Sequence, residues 1–176
     1  PSFLSGQPAL SDRNESQLVA ELEKRMETDL IEARPVLLEL VKRLSGKPER
    51  DSYVFLLGLS YQDEYAEDQD KGALRKAVEY YNEYLNDFPG GSRVDFVRFN
   101  LANAYADLEE YENAIKYFEI TYQQSNKSVF RTESRNRMAA LYIRSERAAE
   151  GVPLFLEVFS SAILDPELRA QAAAWL

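Results

Sequence analysis

No cysteine and no histidine occur in the 176 residues. Without cysteine the chain has no disulfide framework, no thiol nucleophile and no zinc–thiolate site. Without histidine it lacks the commonest general base and metal ligand, so hydrolytic triads, HExxH zinc sites and histidine proton shuttles are excluded. Glycine and proline number only seven each, and no Asn-Gly or Asp-Gly hairpin signal is present. No GxGxxG or GxxxxGK[ST] loop exists to cradle a phosphate. Nor does any run reach the roughly 18–20 apolar residues that span a bilayer.

What is there is ordinary in bulk and telling in pattern. The chain is 45% hydrophobic and 29% charged, which fits a folded protein and excludes wholesale disorder. Its net charge of −9 argues against nucleic acid and anionic membrane surfaces, because both attract basic patches. Lys and Arg read as scattered, and the acid excess as a solubilising surface. Ala, Leu, Glu, Arg and Tyr dominate, which favours helices. The chain opens on Pro1 and closes at Trp175-Leu176 inside a helical pattern, and so reads as a processed protein or an excised piece of something longer.

Residues 1–15 mix Pro, Gly, Ser and charge without a period and are expected to be a linker or frayed end. From Ser16 the apolar residues fall three and four apart: Leu18, Leu22, Met26, Leu30, Ala33, Leu37, Leu40 and Leu44. Gly46 and Pro48 stop that run. Helix pairs are expected at about 16–48, 51–89, 93–126 and 130–164. A further helix should start at Asp165-Pro166-Glu167, which offers a cap, a Pro at the first helical position and an acidic first turn. About nine helices leave no room for a sheet.

The helix pairs repeat. The third reads RFNLANAYADLEEYENAIKYFEITY, in which Leu101-Ala102 is followed by Tyr105, Ala114 and Phe118. The second carries Leu57-Gly58, Tyr61, Ala77, Tyr81 and Pro89; the fourth carries Met138-Ala139, Tyr142, Gly151 and Phe155. Small residues let paired helices approach, while the aromatic residues are expected to fill space toward the next hairpin. A separate echo aligns the segment from Glu32 with that from Glu150, with Pro35 and Pro153 in register. Each Pro is expected near the start of its second helix, where a missing N–H costs little.

This pattern resembles the tetratricopeptide repeat (TPR) family. The resemblance implies an all-α, right-handed superhelical stack of antiparallel hairpins that binds proteins without catalysis. Repeat starts near Asp51, Asp95, Thr132 and Pro166 lie 44, 37 and 34 residues apart, against a family period of about 34. The excess falls in residues 62–76, an acidic insertion expected as two additional helical turns or a protruding loop. The sequence around YLNDFPGGS and VRFNLANAY resembles, more narrowly, bacterial periplasmic TPR proteins of outer-membrane assembly and of the Tol-Pal system. That implies a periplasmic or cell-envelope location, with the cytoplasm as the alternative.

By this resemblance the first helices of the hairpins line a peptide groove. Its residues would be Phe55, Leu59 and Gln62; Phe99, Asn100, Asn103 and Asp107; and Asn136, Arg137, Ala140 and Arg144. Asn can pair with a peptide's backbone amides and Arg can fork onto a carboxylate. The lysine-based carboxylate clamp of some family members is not reproduced, since Phe55 and Phe99 stand at clamp places. No metal and no cofactor are expected. The run Asp63, Glu64, Glu67, Asp68 and Asp70 fails the EF-hand frame, which would place Lys71 at a ligand position. The expected partner is a protein or peptide. The competing readings are a helical accessory domain that self-associates into a homo-oligomer and, more remotely, a carboxylate-dependent hydrolase, which would need two converging acids.

Overall fold

The computed structural model describes residues 9–160 and residue 170. Among them are eight α-helices, two short 3-10 turns and no strand. The chain divides into two compact units, residues 1–89 and 90–176, each a pair of helical hairpins with its own core.

In the first unit α1 (Glu15–Met26) opens on a reciprocal cap. The Gln17 N–H donates to Asn14 Oδ1, while the Asn14 N–H donates to Gln17 Oε1, both at 2.9 Å; this satisfies two donors that a bare helix end leaves open. Asp29 caps α2 (Leu30–Arg43) by accepting from the Ile31 N–H at 2.7 Å. The apolar stripe is therefore shared by two helices. Leu18 and Leu22 meet Ala33, Val36, Leu37, Leu40 and Leu44 in one core, joined by Leu57. Met26, at the handover, falls off the stripe and is 42% exposed.

Two expectations need correcting here. Pro35 is the sixth residue of α2, not near its start. Asp29 begins the helix a full turn earlier than the proline pattern implies, so one backbone bond inside α2 is missing. Pro153 does stand at the start of its helix, as the second residue of α8 (Val152–Ser160), because a 3-10 turn over Ala148–Gly151 precedes it. Residues 10–13, read as linker, are held down: a 3-10 turn over Leu10–Asp12 receives Arg43, whose guanidinium donates to the carbonyls of Leu10, Ser11 and Arg13.

The second hairpin pairs α3 (Arg50–Asp68) with α4 (Lys71–Asp87). The acidic insertion proves to be helix, not loop. With 19 and 17 residues, these helices outlast the 14-residue pair that follows, and only Gln69 and Asp70 separate them. Gln69 takes the left-handed conformation (φ 57°) that ends a helix, and Asp70 caps the next by accepting from the Gly72 N–H at 2.8 Å.

In the second unit α5 (Val94–Asp107) and α6 (Tyr111–Gln124) precede α7 (Ser128–Arg144) and α8. The repeat is written in the backbone at a shift of 37 residues. The Glu110 N–H donates to the Tyr105 carbonyl and the Arg147 N–H to the Tyr142 carbonyl, both at 2.9 Å. Glu109 and Glu146, one residue earlier, are both left-handed, at φ 65° and 60°. Ala102, Ala106, Ala114, Ile115, Phe118, Met138 and Leu141 form the core, and Ala139, Ala148 and Phe155 close its far end. The helix expected from Asp165 lies outside the described residues.

The small-residue positions act as expected. A Cβ on Gly58 would stand 2.4 Å from Tyr81 Cε1, and one on Gly151 would stand 2.8 Å from Phe155 Cζ and 2.9 Å from Tyr142 Cβ. Two of the first-helix tyrosines also stack inside their own hairpins. Tyr61 lies on Tyr80 (5.6 Å, 10°) and Tyr105 on Tyr117 (5.7 Å, 14°). At the junction between hairpins one and two, Arg34 of α2 adds to the apolar packing of Leu57. Its guanidinium sits 3.8 Å over the Tyr61 ring, donates to Ser60 Oγ and to the Ser60 carbonyl, and pairs with Glu64 at 2.6 Å.

Candidate protein-binding face

The predicted groove residues divide between the two units. On α3 of the first unit, Phe55 and Leu59 are half-buried, and Phe55 meets the Tyr84 ring edge-on at 6.5 Å. Gln62 is committed to the core: its Oε1 accepts from the Tyr81 hydroxyl at 2.6 Å. Burial pushes that hydroxyl's pKa far up, with a smaller push from Asp63, so Tyr81 stays a neutral donor. These residues are parts of a packed hairpin more than an open surface.

On the second unit α5 and α7 lie side by side and run in the same direction. Near their N-terminal ends Phe96 meets Phe130 at 6.0 Å. Near their C-terminal ends Asp107 feels the charges of both Arg137 and Arg144. Between these ends Phe99 forms a floor, edge-on to Phe118 at 5.5 Å and tilted against Phe130 at 5.7 Å.

Asn100 departs from the expected groove. It is 8% exposed, and its amide donates to the Phe96 carbonyl at 3.1 Å. An asparagine in a helix interior can satisfy itself on the preceding turn, and this one does. Asn103, half-buried on the same helix, makes no hydrogen bond to any described residue. Asn136 accepts long contacts from Arg135, at 3.3 and 3.4 Å, and Ala140 is half-buried.

The charged end is unevenly tied. Arg144 lies over the Tyr111 ring at 5.4 Å, with a long 3.5 Å contact to its hydroxyl. Arg137 is exposed and enters no hydrogen bond or ion pair with the described residues. Burial raises the pKa of Asp107, and the two arginines pull it back down without either reaching ion-pair distance. The structure thus brings Phe99, Asn103, Asp107, Arg137 and Arg144 to one face and turns Asn100 away from it.

Three further residues belong to this face and were not expected: Phe96, Val129 and Phe130. Phe96 is 41% and Val129 61% exposed, two of only five large apolar side chains this open among the described residues. Lys127 stands 5.6 Å over the Phe130 ring. A signal was available in the sequence, and it corrects the view that basic residues are scattered. Residues 127–144 hold five of them (Lys127, Arg131, Arg135, Arg137, Arg144) against one acid, Glu133, in a chain of net charge −9.

Beyond the C-terminal ends of α5 and α7, a cleft of about 620 Å³ is lined by residues 109–113 and 144–147. Arg147 fills one side by bridging Glu112 and Glu150. Glu109, Glu110, Glu112 and Glu146 make the surroundings acidic, and no three acids among the described residues converge on a metal-sized space. No helix in the described residues is long and apolar enough to cross a membrane.

No family model matches the chain, and no curated protein matches it in sequence. Solved structures do match. The crystal structure of a Podosopora anserina putative kinesin light chain with nearly identical TPR-like repeats superposes with a TM-score of 0.61 at 19% identity. It covers 97% of this chain and 86% of that one. A Q17M form of the same protein superposes equally well at 17% identity, with the same coverage. The fold is that of TPR-like repeats. In TPR-like terms, α5 and α7 are the first helices of successive hairpins, and Gly58 and Ala102 are the small residues on which the second-helix aromatics pack.

Proposed function

We propose that this chain is a non-catalytic interaction module that binds a protein or peptide on the face formed by α5 and α7. The observation that carries the reading is that Asn103 and Arg137, polar groups with no hydrogen-bond partner among the described residues, flank an aromatic floor packed on Phe118. An asparagine amide offers both a donor and an acceptor to an extended backbone, and a guanidinium offers a fork to a carboxylate. TPR-like neighbours agree with a scaffold, although a fold alone assigns no function.

The test is a pull-down with the Asn103→Ala, Arg137→Glu double variant, its helical circular dichroism checked against the parent. Loss of the captured partner with the fold intact supports the face; undiminished capture removes it. Self-association is the second reading, favoured by Met26 and Leu38, which are about two-fifths exposed on the first unit. Sedimentation across a concentration series distinguishes the two. We extend the first reading to the bacterial envelope on the Phe88-Pro89-Gly90-Gly91-Ser92 junction and the lack of cysteine. Fractionation of cells expressing the protein from its own gene tests that extension.

A further inference from the structure

The α5–α7 face is chemically two-ended. At one end Val129 and Phe96 are the open apolar groups, set around Phe130 and Phe99. At the other stand the unpaired Arg137 and the loosely held Arg144. From Val129 to Arg137 on α7 is eight residues, about 12 Å of helix at 1.5 Å per residue. An extended chain covers that distance in about four residues at roughly 3.4 Å each.

We propose that the ligand of this face is an acidic peptide segment carrying a large apolar side chain about four residues from a carboxylate. The apolar side chain rests on Val129, Phe96 and Phe130, and the carboxylate pairs with Arg137 and Arg144. This inference rests on the reading of α5 and α7 as the binding face. Charge complementarity selects the occupant. Residues 127–144 concentrate basic charge in an otherwise acidic chain, and Arg137, although Asp107 feels its charge, forms no ion pair with an acid among the described residues. The apolar end gives the occupant its second requirement, because exposed aromatic and branched side chains gathered at one place gain by being covered. A nucleic acid fits less well, since Asp107 and Glu133 stand among these arginines and would face its phosphates.

The experiment is selection from a random peptide display library on the intact chain, followed by fluorescence anisotropy of resynthesised winners. The parent is compared with Arg137→Glu and Val129→Asp. Arg137 is exposed and makes no hydrogen bond or ion pair with the described residues, and an acid in the first turn of α7 suits a helix N-terminus, so both variants are expected to keep the fold. The expected result is an enriched pattern of an apolar residue and an acid at the stated spacing. Each variant should then weaken binding roughly tenfold or more, the scale of one lost charge-assisted contact. Winners that lack the acid, or that ignore Arg137→Glu while still losing affinity on Asn103→Ala, overturn this inference and leave the face standing. If no peptide binds, or if single-stranded RNA binds more tightly than any peptide, the inference and the binding face fall together.

Discussion

Gly58 shows how little room a single residue can have in this fold. Tyr81 is fully buried, its ring lies against the bare Cα of Gly58, and its hydroxyl is anchored to Gln62, so the ring cannot step aside. Gly58→Ala gains about 1 kcal/mol of helix propensity, yet overpacking of this kind costs about 1–3 kcal/mol. The expected outcome is a net loss, read as a lower urea midpoint with an unchanged slope. Asp63 makes a residue-scale prediction of a different kind. Its pKa is raised by burial and, second, by the negative charge of Asp29. The folded state therefore holds this proton to higher pH than the unfolded chain does. The stability contributed by the protonated form is complete below the ordinary aspartate range and is lost as pH rises through the raised value. Asp63→Asn should melt above the parent at pH 7, and the two curves should converge below about pH 4. A constant gap across that range would assign the effect to something other than titration.

Between the elements α2 and α3, one side chain adds a polar junction to the apolar core that they share at Leu57. Arg34 uses the face of its guanidinium on Tyr61 and its edges on Ser60 and Glu64. Lysine keeps the charge but has neither the plane nor the fork. Arg34→Lys is expected to lose about 1–3 kcal/mol, the range for hydrogen bonds to charged groups and the partners they leave behind. Thermal melts of the pair Arg34→Lys and Arg34→Met would show how much of this is charge. The helices themselves were legible in the sequence, because period and punctuation are local: Leu18 and Leu22, the Pro89-Gly90 break, and the recurrence of Leu101, Tyr105, Ala114 and Phe118. Handovers between helices were less so. One apolar stripe runs through both α1 and α2, and only the cap at Asp29 reveals where the chain turns and why Pro35 lies inside a helix. The layout of the proposed face was readable in part. Asn103, Arg137 and Arg144 sit where the repeat pattern places them, whereas Asn100 occupies an equivalent position and bonds back to Phe96. Which of two asparagines keeps its amide free depends on neighbours across the helix pair, and no spacing rule contains that. Val129 and Phe130 lie a turn before the repeat begins, so a search framed by the repeat passes over them.

For the whole molecule, charge is the property that averaging hides. The formal total of −9 describes the chain as seen from far away, and the basic concentration on α7 describes it close up. Screening length separates the two regimes, at about 8 Å in physiological salt and about 30 Å in dilute buffer. An acidic ligand drifting in through dilute buffer meets repulsion first and attraction only on arrival. Added salt removes the repulsion before it reaches the short contacts at Arg137. Encounter should therefore quicken as salt rises from millimolar levels, opposite to the slowing seen where a ligand is steered by a field of opposite sign. Dissociation should quicken as well once screening reaches the contact. Stopped-flow traces over a salt series would separate these two rates. An association rate that falls steadily from the lowest salt upward would mean that α7, not the chain's total, governs the approach. The acidic excess of the chain as a whole then acts as a kinetic filter, slowing the arrival of the very ligands that α7 would hold.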